Sequence, residues 1–140
     1  MIIEQDLEAF ETNYQDAKAY HMRAEQFLSE GHRFSLIFNV GAVALERYLL
    51  AICEFYSLLP LNHTYISLMC TIESGIDFPA QLSERIKSLD WLFGICSIEN
   101  YSHPSPDPED ASSVLNMCSE VSDLLLQYQS KTPSVPVKTE

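Results

Sequence analysis

FSLIFNVGAVALERYLLAICEFYSLL, residues 34–59, decides how the chain folds. It contains no proline and its one glycine is Gly41. Phe34, Ile37, Phe38, Gly41, Leu45, Tyr48, Leu49, Ile52 and Tyr56 recur at helical intervals, which predicts one long helix with an apolar face. Leu36, Val40, Val43, Ala44, Leu50 and Ala51 make a second apolar face, leaving Glu46, Arg47 and Glu54 as the only charges inside the helix. A helix apolar almost all round is buried on most sides. The expected arrangement is a central helix with one face inside its own bundle and part of the other against a second copy of the chain. Glu46 and Arg47 break the apolar run short of the roughly 18 residues a membrane span needs, so no span is expected.

Around that helix the rest of the chain forms one domain, because 140 residues are enough to bury a core without covalent staples. The boundaries read as a single domain over 1–129 followed by a tail over 130–140. That tail, SKTPSVPVKTE, holds two prolines and little apolar surface and is expected to be disordered. Cys53, Cys70, Cys96 and Cys118 are widely spaced and form no CxxC pair, so they read as reduced core residues of a cytoplasmic protein. The amino terminus turns acidic within four residues, unlike a signal peptide. Twenty acidic against eight basic residues give a formal charge of -12, which repels phosphate backbones. Seven of the acids lie in residues 1–30 and five in 104–129, so the first and last helices present acidic outer faces: a solvated surface, or a docking face for a basic partner.

Before the central helix, Ile3, Leu7, Phe10, Tyr14, Ala17, His21, Ala24 and Leu28 alternate spacings of four and three, predicting a first helix closed by Gly31 and antiparallel to the second. His21 lies on this stripe and reads as a satisfied core or interface histidine. After it, Pro60 is the expected stop of the central helix, and Tyr65, Leu68, Met69 and Ile72 predict a short third helix closed by Gly75. Leu82, Ile86, Leu89, Phe93 and Cys96 form the stripe of a fourth, opened by Phe78 and Pro79, with Trp91 off the stripe to cover a seam or another subunit. Three prolines in HPSPDP end it. Asp107 then caps a fifth helix whose core face is Ala111, Leu115, Cys118, Val121, Leu125 and Tyr128. The fold class is therefore all-α: an up-and-down bundle of four long helices plus one short helix.

Spacing sets several chemistries aside. There is no GxxxxGK[ST] and no GxGxxG motif, no pair of Glu-x-x-His segments, and no strand-to-helix turn to present a nucleophilic serine. His21 and Glu25 stand one turn apart with metal-ligand spacing, but an ordinary side-chain pair is the plainer reading. No metal and no cofactor is expected. The polar cluster is Glu99, Asn100, Tyr101, Ser102 and His103, between the last two long helices. Its plain reading is a helix end in which Tyr101 and His103 cap carbonyl groups.

Together, GAVALERYLLA in the second helix, the short helix after PLNHTYISLM, and ENYSHP before an acidic-capped last helix resemble the HEPN domain (higher eukaryotes and prokaryotes nucleotide-binding) over roughly residues 4 to 128. Many HEPN domains are metal-independent RNases that pair an arginine with a histidine four to six residues later across a homodimer. The resemblance makes His103 the catalytic candidate, with Glu99, Asn100, Tyr101 and Arg47 as ligand-binding candidates. The arginine, however, is missing: Cys96, Ser97 and Ile98 occupy its permitted positions, and Glu99 reverses the charge. Losing a phosphate-holding cation removes transition-state stabilisation typically worth about 3 kcal/mol or more. The leading expectation is accordingly a HEPN-like homodimeric module without nuclease activity. It would act through a protein partner, beside a nucleotidyltransferase or in a toxin–antitoxin pair, with neither nucleic acid nor membrane as its target. The enzyme alternative is an RNase using His103, with Arg47 or Arg85 supplying the cation. A third reading is a nucleotide or small-ligand binder with its groove near Tyr101 and His103.

Overall fold

The computed structural model describes residues 7–92 and 106–131, and every regular element among them is helical. In chain order these are α1 (Leu7–Ser29), α2 (Phe34–Phe55), α3 (Tyr65–Gly75), α4 (Ala80–Lys87), α5 (Leu89–Leu92) and α6 (Pro108–Lys131).

α1 ends where the glycine signal puts it. Gly31 has φ +79°, and the amides of Gly31 and His32 return to the carbonyls of Leu28 and Phe27 (3.2 and 3.1 Å), satisfying groups the last turn leaves open. The reversal lays α2 antiparallel on α1. Phe10 packs on Phe55 with ring centroids 5.3 Å apart, Tyr14 on Tyr48 at 6.4 Å, and His21 reaches Tyr48 from two turns further along α1. The apolar stripe read from Phe10, Tyr14, Ala17 and Ala24 is buried against α2.

α2 stops four residues earlier than Leu59. Ser57 takes the left-handed conformation (φ 58°), its amide bonds to Glu54 O (3.2 Å), and the Leu58 amide bonds to Cys53 O (2.8 Å). This is the same closure that ends α1, made with a serine in the glycine position. Leu59 and Leu61, on either side of Pro60, are then carried into solvent at 90% and 95% exposure.

α2 is the hub: α1, α3 and α6 all pack on it. Thirteen of its residues are buried, including Ala44, Leu50 and Ala51 from the second apolar face, so much of the cover expected of another subunit comes from within the chain. Leu36, Val40 and Val43 stay half-buried. By length and apolarity α2 is also able to cross a bilayer, even with Glu46 and Arg47, and 67% of its most apolar window is buried inside the bundle. α6 runs parallel to α2, from Val114 and Cys118 beside Gly41 to Tyr128 beside Tyr56. A Cβ on Gly41 would stand 3.0 Å from Val114 Cγ1 and 3.4 Å from Leu115 Cδ2, so the glycine is what allows this approach. The start of α6 is the expected one: Asp107 Oδ1 accepts from the Asp110 amide (2.8 Å) and Asp110 Oδ2 from the Asp107 amide (3.1 Å). It continues through Ser130 to Lys131.

The fourth helix differs from its expectation. Instead of one long helix there is a break at Ser88 between α4 and α5, where Ser88 Oγ donates to Arg85 O (2.7 Å) and the Trp91 amide bonds three residues back, to Ser88 O. The break turns Asp90 toward α3. Phe93 and Cys96, the continuation of the stripe, lie outside the described residues. Cys70 also departs from the sequence reading, since it is exposed on α3 while Cys53 and Cys118 are buried.

Candidate functional site

His103, Glu99, Asn100 and Tyr101, the polar cluster singled out in the sequence, lie outside the described residues, as does the tail beyond Lys131. Arg47, the remaining candidate, sits on the side of α2 next to α1. Its Nη1 donates to Asn13 Oδ1 at 3.4 Å, and its Nε is buried with no hydrogen-bond partner among the described residues.

What the described residues bring together is a cleft between α2, α3 and α5. It measures about 560 Å³, and one of its walls is a helical stripe of α2: Asn39, Ala42, Val43 and Glu46. The opposite wall is His63, Thr64, Tyr65 and Asp90. Asp90 is 3% exposed, and its carboxylate lies against the first amides of α3. The Tyr65 N–H donates to Oδ1 (3.0 Å) and the Ile66 N–H to Oδ2 (2.8 Å), while Thr64 Oγ1 accepts from the Ser67 N–H (3.1 Å). With the Thr64 N–H donating to Asn62 Oδ1 (2.9 Å), all four open amides of that helix end are satisfied, two by a carboxylate placed at the positive end of the helix dipole. The charge of Asp90 is tolerable in the interior because it is hydrogen-bonded twice.

Tyr65 closes the floor of the cleft. Its hydroxyl donates to Ala42 O (2.7 Å), taking a carbonyl from inside α2, and burial pushes its phenol well above the ordinary value. At the mouth, Glu46 Oε2 lies 3.2 Å from His63 Nδ1, both partly exposed. Asn39 and Thr64 stand beside the apolar Ala42 and Val43, so the cleft offers a mixed lining with carboxylate and imidazole at its edge.

A second polar assembly crosses from α1 into the core. His21 presents Nε2 to Glu25 Oε2 (3.5 Å) and Nδ1 to the Tyr48 hydroxyl (2.8 Å). A carboxylate only accepts, so the ring proton belongs on Nε2 and Nδ1 accepts from Tyr48. Tyr48 is pushed up to about 12 by burial, an effect partly offset by a hydrogen bond from Ser122. Both nitrogens of His21 are engaged, as its position on the stripe implied, and no group of three or more His, Cys, Asp or Glu side chains suited to a metal occurs among the described residues.

Sequence reasoning missed the cleft. Asp90 carried a signal, since an acid between Leu89 and Trp91 in an otherwise apolar run needs a partner, but only the fold supplies the α3 amides. No protein-family model matches this chain, and no curated protein or solved structure is significantly similar to it.

Proposed function

We propose that the chain is a cytoplasmic, HEPN-like helical module that forms homodimers and acts through protein contacts rather than as a nuclease. The observation that carries this reading is apolar surface left uncovered around the start of α3. Ile66 on α3 and Trp91 on α5 are exposed, the Ile66 amide being bonded to Asp90, the residue before Trp91, and Leu61 in the loop before α3 is exposed as well. Apolar residues presented together mark contact sites more often than single exposed leucines do. The half-buried Leu36 and Val40 on α2 are the part of the central helix that a second copy would cover.

The four-plus-one arrangement belongs to the same proposal. In that proposal α1, α2 and α6 would be three of the long helices, α3 the short one, and α4 with α5 part of the fourth. The missing phosphate-binding arginine and the net charge of -12 support a role other than RNA cleavage. The setting the resemblance suggests is a nucleotidyltransferase or toxin–antitoxin partner.

Light scattering at micromolar concentration tests the dimer, and a monomer alone would remove it. Incubation with single-stranded RNA and a chelator tests the nuclease alternative. The expected result is intact RNA with the wild-type protein; cleavage that His103→Ala abolishes would replace the module by an RNase.

A further inference from the structure

We propose that the cleft between α2, α3 and α5 is a docking site for a basic, amphipathic helix of a partner protein, which places a lysine or arginine side chain against Glu46. This names the partner chemistry of the protein-contact reading and rests on that reading, though not on the dimer. Three observations on the cleft converge. Among the described residues its charged lining is Glu46 and Asp90, with His63 opposite and no lysine or arginine, in a chain of net charge -12. Asp90 is already bonded to two α3 amides, whereas Glu46, half-buried at the mouth, faces among the described residues the exposed imidazole of His63. Ala42 and Val43 line the space beside Glu46, which suits the methylene stem of a basic side chain whose charged head reaches the carboxylate.

The chain neighbours of the lining residues decide between a protein and a free amine. Ile66 follows Tyr65, Trp91 follows Asp90, and Leu61 lies two residues before His63; these side chains are 40%, 66% and 95% exposed. A small amine has nothing to place on them. A helix with basic and apolar residues one turn apart covers both the carboxylate and the apolar rim, the usual division of labour when a helix docks in a groove.

Trp91 is the only tryptophan in the chain, so its emission reports the rim directly. The probe is a helical peptide of leucine and lysine without aromatic residues, titrated into the full chain, with a leucine–glutamate peptide as control. The expected result is a saturable blue shift with the lysine peptide alone. Glu46→Gln should raise Kd about tenfold, as for loss of one charge-assisted contact. Glu8→Gln, which makes the same change of net charge on exposed α1, should leave Kd unchanged. Asn39→Lys, which puts a cation on the exposed wall of the cleft, should weaken binding as Glu46→Gln does, and circular dichroism checks that each variant is folded.

Equal affinity for both peptides, or an equal effect of Glu8→Gln and Glu46→Gln, would reduce the interaction to general charge attraction and overturn the site. A free-protein emission maximum already typical of a buried indole would overturn it too, as would a blue shift that depends on protein concentration without peptide, which makes a second copy the occupant. Binding by a protein that light scattering finds monomeric would remove the dimer and keep the cleft; a dimer that does not bind the peptide would do the reverse.

Discussion

The hydroxyl of Tyr48 on α2 donates to Nδ1 of His21 on α1 across 2.8 Å, tying the two helices by a polar contact shorter than the Arg47–Asn13 contact (3.4 Å) of the same helix pair. Tyr48 is 1% exposed and His21 half-buried, so each is the other's main substitute for water. Tyr48→Phe and His21→Ala should each destabilise the fold by about 1 kcal/mol in urea unfolding. The double variant should cost less than the sum of the two, by roughly 0.5 kcal/mol or more. Strict additivity would show that the contact contributes nothing of its own.

Asp90 is the test of how α3 is held. Asp90→Ala strips the Tyr65 and Ile66 amides of their acceptor in a buried place and should cost about 2 kcal/mol or more. Asp90→Asn keeps one carbonyl oxygen and should cost less, and Thr64→Ala should cost about 1 kcal/mol as a lost cap. Hydrogen exchange at residues 65–67 checks the mechanism, because loss of Asp90 should speed exchange there before it does so in α1.

The two matched helix ends make opposite predictions. Ser57→Gly removes the strain of a side chain at φ 58° and should stabilise by about 1 kcal/mol, whereas Gly31→Ala introduces that strain at φ 79° and should destabilise by a similar amount. Thermal melts of the two variants should move in opposite directions.

Alkaline pH should unfold the protein. Burial pushes the Cys53 thiol and the Tyr48 and Tyr128 phenols up to about 12, from 9 for the thiol and 10 for the phenols, and raises Cys118 and Tyr65 as well. The folded state therefore holds these protons longer than the unfolded chain does. Stability is full below about pH 9 and declines as pH rises from there through about 12. Tyrosinate absorbance should rise together with the loss of helical circular dichroism; a rise at full helicity would contradict it.

The same burial separates the cysteines at neutral pH. Of the three described, exposed Cys70 should be alkylated in the native state and Cys53 and Cys118 only on unfolding, as peptide mapping after brief labelling would show.

Helix positions were legible in the sequence wherever one signal acted alone. Gly31 and the Asp107–Asp110 pair each name a terminus through local chemistry, and both ends fall where they point. The end of α2 was not legible, because Ser57 closes it and serine carries no special signal for a left-handed residue; Pro60 was the louder mark and stands too late. The break at Ser88 was hidden for a different reason. Leu82, Ile86 and Leu89 keep helical spacing straight through it, and all three are buried despite the interruption. The cleft depends on Asp90 meeting amides 24 and 25 residues earlier in the chain, a contact that no local pattern encodes.

The position of α6 bears on how the chain leaves the ribosome. The α1–α2 pair assembles from neighbouring sequence, but Gly41 and the face around it stay uncovered until α6 has emerged. The 76 residues from Tyr56 to Lys131 take roughly 4–15 s to synthesise at about 5–20 residues per second. For that interval the most apolar of the described helices is complete and open on its α6 side, as a nascent chain that a chaperone would hold.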